Sequence, residues 1–95
     1  MENYELSAAA IADLKRLYSF GIMRFGEQLA DQYYDGLIKR FQQIGDMPLL
    51  YPAIDEIRQG YRRSVYGSHS IYYKMAENCV QIIRILSRED VKNAL

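Results

Sequence analysis

The arginines in the second half of the chain, Arg62, Arg63, Arg84 and Arg88, bear most directly on chemistry. A guanidinium presents a planar fork of donors that fits phosphates and carboxylates, so arginines on a small sheet suit an RNA phosphate or the carboxylates of a protein partner. Arg62 and Arg63 are adjacent, and neighbouring strand residues point to opposite faces. Only one of them can therefore share a sheet face with Arg84. Other residue types narrow the possibilities. A single His69 and a single Cys79 do not supply the three or four ligands of a zinc site, so no metal is expected. The chain has no glycine-rich phosphate loop and no Ser-His-Asp pattern, so no cofactor and no catalytic residue is assigned. His69 opens a strand just after a turn and reads as a lone histidine rather than a general base. Cys79 reads as a small apolar strand residue beside a turn.

The elements that must position these arginines follow from periodicity. Residues 3–6 form a short strand, with Tyr4 and Leu6 on one face. Ser7 is a good N-cap for a helix over 8–24, whose stripe is Ile11, Leu14, Tyr18 and Ile22. Gly26 breaks it. A second helix over 27–45 carries the stripe Ala30, Tyr33, Leu37, Phe41 and Ile44, with Glu27 and Asp31 near its positive end. So short a link implies an antiparallel helical hairpin. Residues 47–56 form an apolar loop fixed by Pro48 and Pro52. Strands are expected near 57–65, 69–76 and 79–87, with turns at Gly67-Ser68 and Glu77-Asn78. In the last strand Val80, Ile82, Arg84 and Leu86 share one face, and Gln81, Ile83, Ile85 and Ser87 the other. Both faces are largely apolar, so that strand is expected at the centre of the sheet, covered on both sides. Tyr33, Leu37, Phe41 and Ile83 are expected in the core. Residues 88–95 read as a polar helical turn or tail. The fold class is thus α+β: a short N-terminal strand and an antiparallel two-helix hairpin packed on a small antiparallel sheet, in a single domain over 1–95.

Composition sets the setting. Nearly half of the 95 residues are hydrophobic, which excludes a disordered chain, and no apolar run approaches the length of a membrane span. No signal peptide is visible after Met1, and the single cysteine suits a reduced compartment, so a cytoplasmic protein is expected. The net charge is zero but unevenly placed. Residues 1–57 hold five Lys/Arg and nine Asp/Glu, a balance of −4; residues 58–95 hold seven and three, a balance of +4. A basic half points to an acidic partner or a nucleic acid, unless the charge merely solvates a sheet face.

Several short stretches, in their order and spacing, resemble the ParE/RelE superfamily of bacterial toxins. They are Ala12-Asp13-Leu14, Tyr18 with Gly26, Ala30-Asp31-Gln32-Tyr33, Leu37 with Phe41, Pro48 with Pro52, Arg62-Arg63, Ile71-Tyr72-Tyr73, and the run from Val80 to Leu86. The resemblance covers about residues 4–90 and is nearest to ParE. It implies the toxin of a type II toxin–antitoxin pair, neutralised by a small acidic antitoxin in a hetero-oligomer. ParE members are understood to poison DNA gyrase; RelE members cut messenger RNA on the ribosome. Many members carry His after the Arg-x-Leu of the last strand, where this chain has Ser87. A ribonuclease needs a base for the 2′-hydroxyl and an acid for the leaving 5′-oxygen. The basic half offers arginines, two lysines and scattered tyrosines instead. The resemblance therefore implies a gyrase inhibitor first, with a RelE-like ribonuclease and a non-toxic antitoxin-binding member as alternatives. Arg62, Arg63, Arg84 and Arg88 are the expected partner-binding residues.

Overall fold

The computed structural model describes residues 3–87. Strand β1 (Tyr4–Leu6) leads into helix α1 (Ala8–Phe25), helix α2 (Glu27–Asp46), and strands β2 (Tyr61–Tyr66), β3 (His69–Met75) and β4 (Val80–Ser87). Ser7 caps α1: its hydroxyl accepts from the Ala10 amide at 3.0 Å and donates to the Ile83 carbonyl at 2.7 Å. Gly26 ends α1 and starts α2 with φ 90°, a conformation that favours glycine, and its amide closes the last turn on the Ile22 carbonyl. Gly21 is carried inside α1, where the packed hairpin outweighs its weak propensity.

The sheet order is β1-β4-β3-β2. β2, β3 and β4 pair antiparallel, as expected, and β4 is central. β1, however, pairs parallel with β4, Tyr4 opposite Val80 and Leu6 opposite Ile82, so the sheet is mixed. The helical hairpin supplies the long crossover that a parallel pair requires. β2 also starts four residues later than its apolar pattern suggests. Residues 55–60 are turns instead, held by the Ile57 and Arg58 amides donating to the Ile54 carbonyl and by the Gly60 amide donating to Asp55.

The hairpin covers one sheet face. Leu37, Phe41 and Ile44 of α2 and Leu14 of α1 are buried against Tyr4, Ile71, Tyr73, Val80, Ile82 and Ile85. On the other face Ile54 packs with Tyr72 and Leu86. The face pattern expected of β4 fails at one point. The β3–β4 register shifts between Tyr72 and Tyr73: Tyr72 pairs with Arg84 and Tyr73 with Ile82, leaving Ile83 as an extra residue. That bulge reverses the alternation. Val80 and Ile82 are continued on the hairpin side by Ile85 rather than Arg84, and Ile83 is half-buried rather than core. Tyr33 is likewise half-buried at the edge of the cluster.

Candidate partner-binding surface

Arg62 and Arg63 occupy adjacent positions on β2. Arg62 stands opposite Tyr73, which belongs to the hairpin-side cluster; Arg63 stands opposite Tyr72, on the other face. Tyr72 in turn pairs with Arg84. Arg63, not Arg62, therefore lies in one cross-strand row with Arg84. Arg88 lies outside the described residues.

The guanidinium groups differ sharply in what holds them. Arg84 reaches Asp13 of α1, donating from Nε at 2.8 Å and from Nη2 at 3.0 Å, and this hydrogen-bonded carboxylate raises its pKa further. Asp13 is only 2 % exposed and also accepts from Arg16 and from the Ile85 amide at 3.0 Å. The reason is topological. β1 ends at Leu6, so β4 has no neighbouring strand on that edge past Ile82. Ser7 takes over at the Ile83 carbonyl and Asp13 at the Ile85 amide, and the buried edge is satisfied by side chains. Arg62 donates to the Tyr51 carbonyl at 2.6 Å. Of these three arginines only Arg63 makes no side-chain hydrogen bond to the described residues; its amide donates to the Pro52 carbonyl.

Arg40 reads in the sequence, with Lys39, as a cation near the negative end of α2; in the structure it fastens α2 to the outer edge of β2. It donates to the Ser64 hydroxyl at 2.9 Å and the Val65 carbonyl at 2.8 Å, and stacks over the rings of Tyr66 and Tyr51. Residues 52–54 cover the rest of that edge through Ile54 N–H to the Tyr61 carbonyl and the Arg63 amide to Pro52. The loop after α2 is pinned as well. The Tyr73 hydroxyl, its pKa pushed up to about 12 by burial, donates to the Pro48 carbonyl at 2.5 Å. The loop still leaves Met47, Leu49 and Leu50 exposed.

His69 is not alone. Its Nδ1 lies 2.7 Å from the Tyr33 hydroxyl, which is also 3.0 Å from the Tyr66 carbonyl. Both contacts are satisfied when Tyr33 donates to Tyr66 and accepts from Nδ1–H. Burial raises the pKa of Tyr33 and lowers that of His69. A base whose folded pKa lies below its unfolded value binds more protons when unfolded. Its stabilising contribution is complete above the ordinary value near 6.5 and is lost as pH falls from there towards the folded pKa. Thermal melts from about pH 7.5 to 5 are therefore expected to fall more steeply for the native chain than for His69→Gln. Parallel curves would show that the imidazole carries no such linkage.

The model for the ParE toxin of the type II parDE toxin–antitoxin system matches residues 4–91. Toxin ParE1 of Mycobacterium tuberculosis is 35% identical over 94 residues, covering 97% of this chain and 96% of the relative. The chain belongs to the ParE toxin family. Toxin ParE1 of Caulobacter vibrioides is 34% identical over 86 residues, 90% of this chain and 88% of that one. A structure described as the chromosomal ParDE TA system from P. aeruginosa shares the fold, with a TM-score of 0.78, 17% identity and coverage of 92% of this chain and 96% of that one.

Within this ParE fold Arg63 lies on the sheet face opposite the hairpin, while an apolar depression lies at the hairpin end. The His69–Tyr33 pair borders that depression. Sequence reasoning missed both the tie of Arg40 to β2 and this pairing. Arg40 had one local signal, Gln43 one turn later, to which its Nε donates at 3.2 Å. The Tyr33–His69 contact spans 36 residues and has no local signal. Among the described residues no group of three His, Cys, Asp or Glu is placed to hold a metal, and no helix is long and apolar enough to cross a membrane.

Proposed function

We propose that this chain is a ParE-like inhibitor of DNA gyrase, held inactive in the cytoplasm by a cognate acidic antitoxin within a hetero-oligomer, and that it acts by binding rather than catalysis. The match to ParE over residues 4–91, which runs through the arginine-bearing last strand, carries this reading. The side-chain geometry supports it. A ribonuclease would need an acid–base pair beside a phosphate-holding cation. Here Arg84 is tied to Asp13 and Arg62 to the Tyr51 carbonyl, while the histidine is engaged by Tyr33 on a wall that no Lys or Arg lines. Binding surfaces concentrate their energy in a few arginine and aromatic anchors, so Arg63 and Arg88, with residues 88–95, are the proposed contact set. Arg62 and Arg84 hold that set in place.

Supercoiling by purified gyrase should be inhibited by the native chain. Inhibition should weaken in Arg63→Ala and on deletion of 88–95, with circular dichroism unchanged. Cleaved ribosome-bound messenger RNA with gyrase untouched would instead assign the ribonuclease. Unaffected growth on expression would assign a non-toxic member.

A further inference from the structure

The loop after α2 is held tightly and yet keeps its apolar side chains outside. Met47, Leu49 and Leu50 are 58, 69 and 62 % exposed. Their backbone has little freedom to turn them inward. The Leu50 amide closes a turn on the Met47 carbonyl at 3.1 Å. Tyr73 donates to the Pro48 carbonyl, Arg62 to the Tyr51 carbonyl and the Arg63 amide to the Pro52 carbonyl. Pro48 and Pro52 fix their own φ, and the Tyr51 ring lies beneath the Arg40 guanidinium. A rigid lobe with large apolar side chains in water has the form of a contact surface, since little conformational freedom remains to be lost when a partner arrives.

The charge on the loop selects the partner. Residues 46–57 hold three acids, Asp46, Asp55 and Glu56, and no Lys, Arg or His. All three acids are exposed. An acidic protein or a phosphate backbone would meet these carboxylates as like charges. A second copy, paired by a two-fold axis, would set the same acidic lobe against itself. The surface that complements the loop is an apolar cleft flanked by Lys and Arg. An enzyme that grips DNA carries such cations, because it neutralises phosphates with them. The loop is also continuous with the contact set proposed above. It runs beside β2 through the Ala53–Arg62 bridge, and its Pro52 carbonyl is bonded to the Arg63 amide at 3.1 Å.

We infer that residues 47–50 are an apolar anchor by which this chain holds gyrase, seated in a cleft whose flanks are basic. Leu49 and Leu50 enter the cleft, the loop carboxylates meet its cations, and Arg63 reaches a carboxylate beside it. Arg62 and Tyr73 are positioning residues: they hold the loop in place through the Tyr51 and Pro48 carbonyls. The inference rests on the gyrase reading above and adds an apolar contact to its arginine set.

The test measures supercoiling by purified gyrase and, in parallel, calorimetric binding of the antitoxin encoded beside this chain. Leu49→Ser and Leu50→Ser should each raise the concentration for half-inhibition about 10-fold. Their melting temperatures should stay native, because both side chains are exposed. Glu56→Lys should raise it about 3-fold, an effect that fades at high salt. Leu29→Ser, comparably exposed but on α2, should leave inhibition unchanged. The loop variants should bind the antitoxin as the native chain does. Native inhibition by both leucine variants overturns the inference while the gyrase reading stands. Leucine variants that inhibit normally but lose the antitoxin would give the loop to the antitoxin and overturn it as well. A dimer of the native chain that Leu50→Ser dissolves in sedimentation would give the loop to a second copy, with the same result. A native chain that leaves gyrase untouched overturns both the inference and the reading beneath it.

Discussion

Asp13→Ala is expected to destabilise the fold by about 3–5 kcal/mol, the typical cost of removing one partner from a buried ion pair. The Asp13 carboxylate is 1 % exposed as a side chain and serves three donors at once: Arg84, Arg16 and the Ile85 amide. Its loss leaves a partly buried guanidinium without its counter-charge and a buried strand amide without an acceptor. Two further variants separate these effects. Asp13→Asn keeps an acceptor for one donor but removes the charge, and should fall between the native chain and Asp13→Ala. Arg84→Ala leaves the carboxylate with Arg16 and the Ile85 amide, and should cost less than Asp13→Ala. Urea melts of the three variants give the order directly. A loss below about 1 kcal/mol for Asp13→Ala would show that the β4 edge is satisfied in another way. Any loss of toxicity in Arg84→Ala has to be read beside its melt, because the guanidinium holds β4 to α1.

The parts of the fold that are local in sequence are legible in it. The stripe from Ala30 to Ile44 marks one face of α2, and Ser7 and Gly26 bound α1 by capping chemistry within a few residues of each end. What the pattern does not carry is register. β1 is three residues long, and nothing in Tyr-Glu-Leu specifies whether its partner runs parallel or antiparallel. The bulge at Ile83 inverts β4 from that point on, and an alternating pattern with apolar residues at both parities gives no warning of it. The candidate site shows the same division. Arg84 is conspicuous as a charge in an apolar strand. Its partner Asp13 lies 71 residues away, on a helix where it looks like one more solvated acid. The Tyr33–His69 pair and the depression beside it depend on how far the hairpin overhangs the β2–β3 turn. That is a property of element lengths taken together and of no single stretch.

Phe41→Ala is expected to cost roughly 3–5 kcal/mol. Phe41 is fully buried at the centre of the hairpin-side cluster, and its ring packs at 5.6 Å from that of Tyr4. It thus joins α2 to the parallel strand as well as to the antiparallel part of the sheet. The surrounding elements are tied by backbone hydrogen bonds and have little freedom to collapse into the space, which puts the cost at the upper end. Against a typical domain stability of about 5–15 kcal/mol, a large share of the total is lost. Ile83→Ala is the informative contrast. As an expected core position it would cost as much as other buried aliphatics; at the bulge, half-buried, it should cost about 1 kcal/mol. Denaturant melts of both variants place the residues. A loss under about 1 kcal/mol for Phe41→Ala would contradict the helix face that carries the whole hairpin. The result also bears on toxicity assays. A Phe41→Ala chain is partly unfolded or degraded in cells and will appear non-toxic without any change to its binding surface. Rescue of growth is therefore evidence for a contact residue only in variants such as Arg63→Ala, whose melts match the native chain.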